Sequence, residues 1–349
     1  MKIIITGVTG QDGANMAEYL LDNYADAEVV GVVRRVSTPN KTNMGAFENH
    51  PRFTEVSGDL TDGSSIDRVV RDYQPDYFIN FAANSFVTSS WKSPLHVWDT
   101  NAMGTLRCLE SIRNYKPDCK FYSAGSSEEM GDVDYSPQDL KHPIKPRSPY
   151  GASKAACRHI VKVYRESYNL FAIHGILFNH EGVKRGEEFV TRKITKAVAN
   201  IKMAIDQGKE FAPLQIGNAE AKRDWSDSED FMRAVWLMLN QKEPKEYILS
   251  SNETHTVKEF VSLAFQEAGI AGLWSGEGLE EKFRIYQENK ILVEVNQEFY
   301  RPAEVAILHG DSTPIREELG WKPKFSFQDL VKRMVNNDLE IAKKRAFSP

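Results

Sequence analysis

No apolar run in these 349 residues approaches the ~20 that a helix needs to cross a bilayer. The chain also enters a strand pattern at once, without the charged and then apolar leader of a secreted protein. A membrane protein is therefore not expected, and the cytoplasm is the expected compartment. Cysteine is scarce: Cys108, Cys119 and Cys157 are odd in number and lack metal-ligand spacing, so neither a disulfide framework nor a zinc site is expected, and no other metal. Basic charge is not in excess. With 44 Lys and Arg against 49 Asp and Glu, the net charge of -5 gives no general attraction for nucleic acid, and any anionic ligand must be held by cations placed locally. Internal repeats and low-complexity stretches are absent. The length suits about two domains.

What is present begins at the N-terminus. An apolar strand, Ile3 to Ile5, runs into glycines at 7, 10 and 13 and then into an amphipathic helical pattern. The GxxGxxG spacing suits a tight turn, close approach of backbone to a pyrophosphate and close packing of helix on strand, with the free amides of the helix start facing the phosphates. Three glycines after a strand also suit a plain turn. Taken as a cradle, the stretch assigns Gly7, Gly10, Gln11, Asp12 and Gly13 to a dinucleotide.

A second motif lies far downstream. Tyr150 and Lys154 form Tyr-x-x-x-Lys within SPYGASKAACRHIVKVYRESY, which reads as one long helix, so both side chains leave one face a turn apart. A lysine there is expected to lower the phenol's pKa and make it a base near neutral pH. Either motif alone occurs by accident; both in this order are much less easily accidental.

Between them strands alternate with helices: Glu28 to Val33, Phe53 to Val56, Tyr77 to Phe81, Lys120 to Ala124 and Ala172 to Phe178 read as strands. Such alternation predicts an α/β fold, a Rossmann-type doubly wound parallel sheet, with a smaller mixed α/β C-terminal substrate-binding domain. The expected division is 1–180 for the dinucleotide domain, with returning segments near 220–250, and 181–349 mainly for substrate. Residues 34–52, with Pro39, Asn40, Asn43, Gly45 and Asn49, read as a long loop, and 327–344 as a closing helix.

The strand ends select the ligands. After the second strand stand Arg34 and Arg35, where an NAD-binding chain usually carries a carboxylate; two guanidiniums favour a 2'-phosphate, so NADP is the expected cofactor. Asp59 and Leu60 fall where adenine would lie. Ala82 and Ala83 let backbone pass close to the cofactor, and Ser85 can reach substrate, although this stretch reads equally as a structural turn. Ser126 and Glu128 follow the fifth strand, opposite Tyr150, and make a plausible acid/base set. Further on, Arg185, Lys193, Arg223 and Arg301 suggest a pyrophosphate clamp in a net-acidic chain, with Glu304 accepting from a ribose or base.

The stretches TGVTGQDG, GVVRRVS, PRSPYGASK, GILFNHE, RGEEFVTRKI, GNAEAKRDW and FYRPAEV resemble the extended short-chain dehydrogenase/reductases and, within them, the GDP-mannose dehydratases. The resemblance implies Tyr150 as base at the sugar O4 hydroxyl, Lys154 orienting it and the nicotinamide ribose, Ser126 in a position usually threonine, and Glu128 as acid/base of elimination. It further implies His180 near the nicotinamide, and a GDP-holding set of Arg185, Lys193, Arg223, Arg301 and Glu304 with Asn179 nearby; Val190 and Gly217 complete the expected substrate lining. Glu129-Met130 stands where Leu-Tyr is common, Phe86 where histidine is, and Asn84 where glutamine is. The implied substrate is GDP-mannose or a close GDP-sugar, and the implied assembly a homotetramer or homodimer in which the Arg35 loop reaches a neighbour. Alternatives are a dehydratase or epimerase of another nucleotide sugar such as GDP-manno-heptose, and a non-catalytic NADP-sensing Rossmann protein.

Overall fold

Ile3, Ile4 and Ile5 are all fully buried, and their alternation feeds two different cores. They belong to strand β1 (Lys2–Thr6), which is followed by helix α1 (Gln11–Asn23) and β2 (Glu28–Val33). The computed structural model describes residues 1–286, 288–300, 305 and 307–346. The chain continues through β3 (Phe53–Ser57), α2 (Gly63–Tyr73), β4 (Tyr77–Asn80), α3 (Val87–Ser90), α4 (Pro94–Trp98), α5 (Gly104–Tyr115), β5 (Lys120–Ala124), α6 (Pro149–Tyr168) and β6 (Ala172–Leu177). Then come β7 (Asn179–Glu181), α7 (Val190–Asp206), β8 (Leu214–Ile216), β9 (Lys222–Arg223), β10 (Trp225–Asp227), α8 (Ser228–Leu239) and β11 (Ile248–Leu249). The last elements are β12 (His255–Thr256), α9 (Val257–Glu267), β13 (Gly272–Ser275), β14 (Lys282–Ile285), β15 (Ile291–Val295), β16 (Ile307–Leu308), α10 (Thr313–Leu319) and α11 (Phe327–Ala346).

Seven strands form one parallel sheet in the order β11-β6-β5-β4-β1-β2-β3. A parallel sheet covered on both faces needs continuous apolar strands, and β1 and β6 supply them. Ile3 and Ile5 pack with Met16 and Leu20 of α1 and Phe231 and Val235 of α8; Ile4 points to the opposite face, with Val69 of α2, Ile112 of α5 and Val161 of α6. Burying each such side chain contributes roughly 1.5–3 kcal/mol, so truncating one would open a cavity between sheet and helix. The predicted strands fall within a residue or two of the observed ones, and residues 34–52 form an irregular segment with a single 3-10 turn at Thr42–Met44.

A second core lies in the C-terminal part, where α7, α9 and α11 pack around a mixed sheet of order β13-β14-β15-β8. Three short strands, β12-β9-β16, form another sheet that carries Arg223. The strand order of the main sheet reverses between β1 and β4, and such reversal points open a crevice at the carboxyl ends of the strands. No described helix is long and apolar enough to cross a membrane.

Candidate active site

At that crevice opens a cavity of about 760 Å³, lined from Thr6 and the glycine turn through the ends of β4, β5 and β6 to Lys193, Arg223 and Phe299. Every predicted site residue that the structure describes lines it, with the exception of Arg35. Arg34 borders the cavity, and Arg35 is the next residue outward on the same exposed segment. Arg301 and Glu304 lie outside the described residues.

The glycine turn has the shape that its sequence predicts. Gly7 sits at φ +71°, and a Cβ there would be 2.8 Å from the Ala82 nitrogen; one on Gly13 would be 2.3 Å from the Gly7 carbonyl oxygen. The turn therefore admits only hydrogen at both positions. Gly10 caps α1 without a side-chain hydrogen bond, leaving the first-turn amides without a side-chain cap beside the cavity. Gln11 Nε2 donates to the His180 carbonyl, while its buried Oε1 has no partner among the described residues. A backbone cradle too tight for side chains, uncapped helix amides and an unsatisfied buried amide oxygen together fit a dinucleotide pyrophosphate. Asp59 Oδ1, at the cavity wall, accepts from both the amide and the hydroxyl of Thr61.

Opposite the cradle, Ser148 caps α6 by accepting from the Gly151 amide, with Pro149 in the first turn, and this sets Tyr150 at the cavity wall. Gly151 permits the approach: a Cβ there would be 2.4 Å from the Glu128 carbonyl oxygen. Burial drives the Tyr150 phenol well above its ordinary value; the Ser126 hydroxyl bond lowers it, the Glu128 charge raises it and Arg185 lowers it. The spacing with Lys154 predicts the opposite direction. The lysine's ammonium donates instead to the Ala124 carbonyl at 2.6 Å, and burial lowers its own pKa. Desolvation, which spacing along a helix does not report, outweighs the local charge.

The corner after β5 brings Ser126 and Glu128 to the same wall. Ser126 Oγ accepts from the Glu128 amide at 3.2 Å, and Glu128 is nine-tenths buried. Across the floor, Asp12 Oδ2 and His180 Nε2 are 2.8 Å apart, and His180 Nδ1 donates to the Phe178 carbonyl at 2.8 Å. At the far end Arg185 stacks on Phe189, 3.5 Å from ring centroid to guanidinium carbon, and pairs with Glu181 at 3.0 Å. Lys193 lies 3.6 Å over the Phe299 ring, with burial lowering its pKa. Arg223 is buried, and the neighbouring Asp224, pushed up to about 6 by burial, accepts from the Ser251 amide and hydroxyl and so anchors its strand. Asn179, Val190 and Gly217 also line the cavity, and Asn179 Oδ1 is buried without a partner among the described residues.

Some residues that build the site are absent from the sequence-based set. Asn101, in a π turn at Asp99–Met103, accepts from the Asn84 amide at 2.8 Å and donates to the Ser153 hydroxyl at 3.0 Å, tying the end of β4 to α6. A π turn widens a helix without any composition signal, so periodicity reads through it. Phe189 and Phe299 were legible only as aromatics near cations.

A family model described as GDP-mannose 4,6 dehydratase matches residues 4–334. The chain belongs to the GDP-mannose 4,6-dehydratase family. It is 42% identical to GDP-mannose 4,6 dehydratase 2 of Arabidopsis thaliana, covering 98% of this chain and 87% of that one. With the human GDP-mannose 4,6 dehydratase the identity is 39%, covering 97% and 91%, and with the enzyme of Yersinia enterocolitica 40%, covering 99% and 95%. Among solved structures, a dTDP-glucose 4,6-dehydratase of Streptomyces venezuelae with NAD bound superposes with a TM-score of 0.81 at 22% identity, covering 97% of each chain. A UDP-glucose 4-epimerase of Thermotoga maritima gives 0.80 at 22%, covering 98% and 99%. These two share the fold; the family membership rests on the sequence relatives.

Proposed function

We propose that this protein converts GDP-D-mannose to GDP-4-dehydro-6-deoxy-D-mannose with NADP as a retained cofactor, as an enzyme that works in the cytoplasm as a homodimer or homotetramer. The observation that carries the reading is the convergence of Tyr150, Ser126 and Glu128 on one wall of a cavity whose ends are a dinucleotide cradle and a set of cations. When bound, the nicotinamide supplies the acceptor and donor of a hydride that leaves C4 of the sugar and returns at C6.

The cradle of Gly7, Gly10, Gln11, Asp12 and Gly13, with Ala82 and Ala83 alongside, would hold the pyrophosphate and nicotinamide halves; Arg34 would hold the 2'-phosphate, and Asp59 and Leu60 the adenine. Lys154, fixed to the Ala124 carbonyl, would direct its remaining protons to the nicotinamide ribose and the Tyr150 phenol. Tyr150, bonded to Ser126, would take the O4 proton as its phenolate, the form that the Lys154 ammonium and the positive charge of a bound oxidised nicotinamide would favour against the burial that otherwise keeps the phenol protonated. With C4 a ketone, the C5 proton becomes acidic, and Glu128 removes it and then delivers a proton to the departing C6 hydroxyl as water. Each positioned transfer contributes about 10²- to 10⁴-fold. Arg185, Lys193, Arg223 and, by the family resemblance, Arg301 and Glu304 hold the GDP, so charge in the ligand meets charge in the protein.

An epimerase needs no acid to expel the C6 hydroxyl, so the placement of Glu128 on the cavity wall favours dehydration. The deciding experiment is incubation of the purified protein with GDP-mannose, GDP-manno-heptose, UDP-glucose and dTDP-glucose, followed by mass spectrometry. Loss of one water from GDP-mannose, with GDP as competitor, is expected; turnover of a UDP- or dTDP-sugar in preference overturns the reading.

A further inference from the structure

Behind the wall formed by Ser126 and Glu128 lies a second pair of ionisable groups, Glu129 and His174, neither with any exposed surface. Glu129 Oε1 accepts from the Ser126 amide at 2.8 Å and lies 2.8 Å from His174 Nε2 in β6. His174 Nδ1 faces the Ser123 hydroxyl of β5 at 3.3 Å. The other carboxylate oxygen, Oε2, is buried without a partner among the described residues. A half-satisfied buried carboxylate costs stability, and a packed apolar side chain would fill the space without that cost. Stability alone therefore does not account for the pair.

Its connections lead to the reacting groups. Glu129 and Ser126 form a reciprocal capping box, each side chain accepting from the other's amide, and Ser126 Oγ also accepts from the Glu128 amide, which sets the corner. Gly125 makes the close fit possible, because a Cβ there would be 2.2 Å from His174 Nε2 and 2.6 Å from Glu129 Oε1. From α6, Tyr150, Lys154 and Cys157 all feel the Glu129 charge, as does Tyr122 of β5. A negative charge at this point favours the ammonium of Lys154 and disfavours the phenolate of Tyr150.

We propose that Glu129 and His174 form a positioning pair for the dehydratase reaction, holding Ser126 and Glu128 through the corner backbone and placing a buried carboxylate behind Tyr150 and Lys154. The proposal rests on the reading that Tyr150 and Glu128 move the protons.

The test uses the full chain with NADP⁺ added. Glu129→Gln keeps the size and one acceptor for the Ser126 amide but removes the charge. The ionisation of Tyr150 is followed by NMR of tyrosine isotope-labelled at Cζ, its signal identified by loss in Tyr150→Phe. In Glu129→Gln the Tyr150 midpoint should fall by about half a unit or more. The kcat for GDP-mannose should drop about ten-fold with KM within about two-fold, and its pH profile should move down with the phenol. His174→Gln, which removes the ring that faces Glu129 Oε1, should move the midpoint as well. An unmoved midpoint in both variants, or a loss confined to melting temperature, overturns the proposal. Should Glu129→Gln not fold, His174→Gln decides by the same readouts. If the unaltered protein fails to dehydrate GDP-mannose, the functional reading falls, while the NMR midpoints still decide the role of the pair.

Discussion

Asp12 in the first turn of α1 and His180 in β7, 168 residues apart in sequence, meet across the cavity floor as an ion pair at 2.8 Å. The Phe178 carbonyl can only accept, so His180 Nδ1 carries a proton, and Nε2 faces a carboxylate. Burial alone would lower the histidine and raise the aspartate. The attraction between them, with Arg185 also acting on Asp12, reverses both directions: His180 lies above 6.5 and Asp12 below 3.8. The stability that His180 contributes is thus fully present below pH 6.5 and is lost as pH rises through its raised value. That of Asp12 is present above pH 3.8 and is lost as pH falls through its lowered one.

It follows that His180→Gln, which leaves the partly buried Asp12 without its imidazolium partner, should destabilise the protein by about 1–2 kcal/mol in mildly acidic solution. The variant should also lose the part of the alkaline decline in melting temperature that belongs to His180. Melting curves of both proteins across the pH range check this. Parallel curves for the two above pH 6.5 would show that the imidazolium pair does not form.

Arg34 and Arg35 are expected to separate. Arg34 lines the cavity and Arg35 does not, so Arg34→Ala should weaken NADP binding about ten-fold or more and leave NAD binding little changed. Arg35→Ala should change either affinity by no more than about two-fold. Calorimetric titration of both dinucleotides into both variants is the measurement. Equal losses for NADP and NAD in Arg34→Ala would refute the 2'-phosphate assignment.

On the proposed function, Tyr150 and Glu128 divide the labour. Tyr150→Phe should reduce dehydration at least about 10³-fold and abolish exchange of the C5 hydrogen, since without the 4-ketone that hydrogen is not acidic. Glu128→Gln should keep GDP and NADP binding, form almost no 6-deoxy product and fail to exchange C5 hydrogen in heavy water. In the unaltered enzyme, product made in heavy water should carry solvent deuterium at C5. Mass spectra of the sugar decide the matter: deuterium entering C5 in Glu128→Gln would assign the base to another residue.

Local requirements made much of the protein legible without coordinates. The glycines at 7 and 13 answer to a turn that leaves no room for Cβ, the apolar run of Ile3 to Ile5 to a strand buried on both faces, and Tyr150 and Lys154 to one turn of one helix. Each depends on neighbours a few residues away, so spacing alone carries it. Tertiary structure decided what depends on distance through space and on the removal of water. It turned Lys154 to the Ala124 carbonyl and let burial push Tyr150 up rather than down. It also put Arg34 and not Arg35 at the cavity, widened a helix at Asn101, and paired Asp12 with His180 and Glu129 with His174. Such charges acquire their partners and their acidity only when segments distant in sequence close over them, because desolvation and Coulomb attraction are properties of the folded surroundings rather than of the residue.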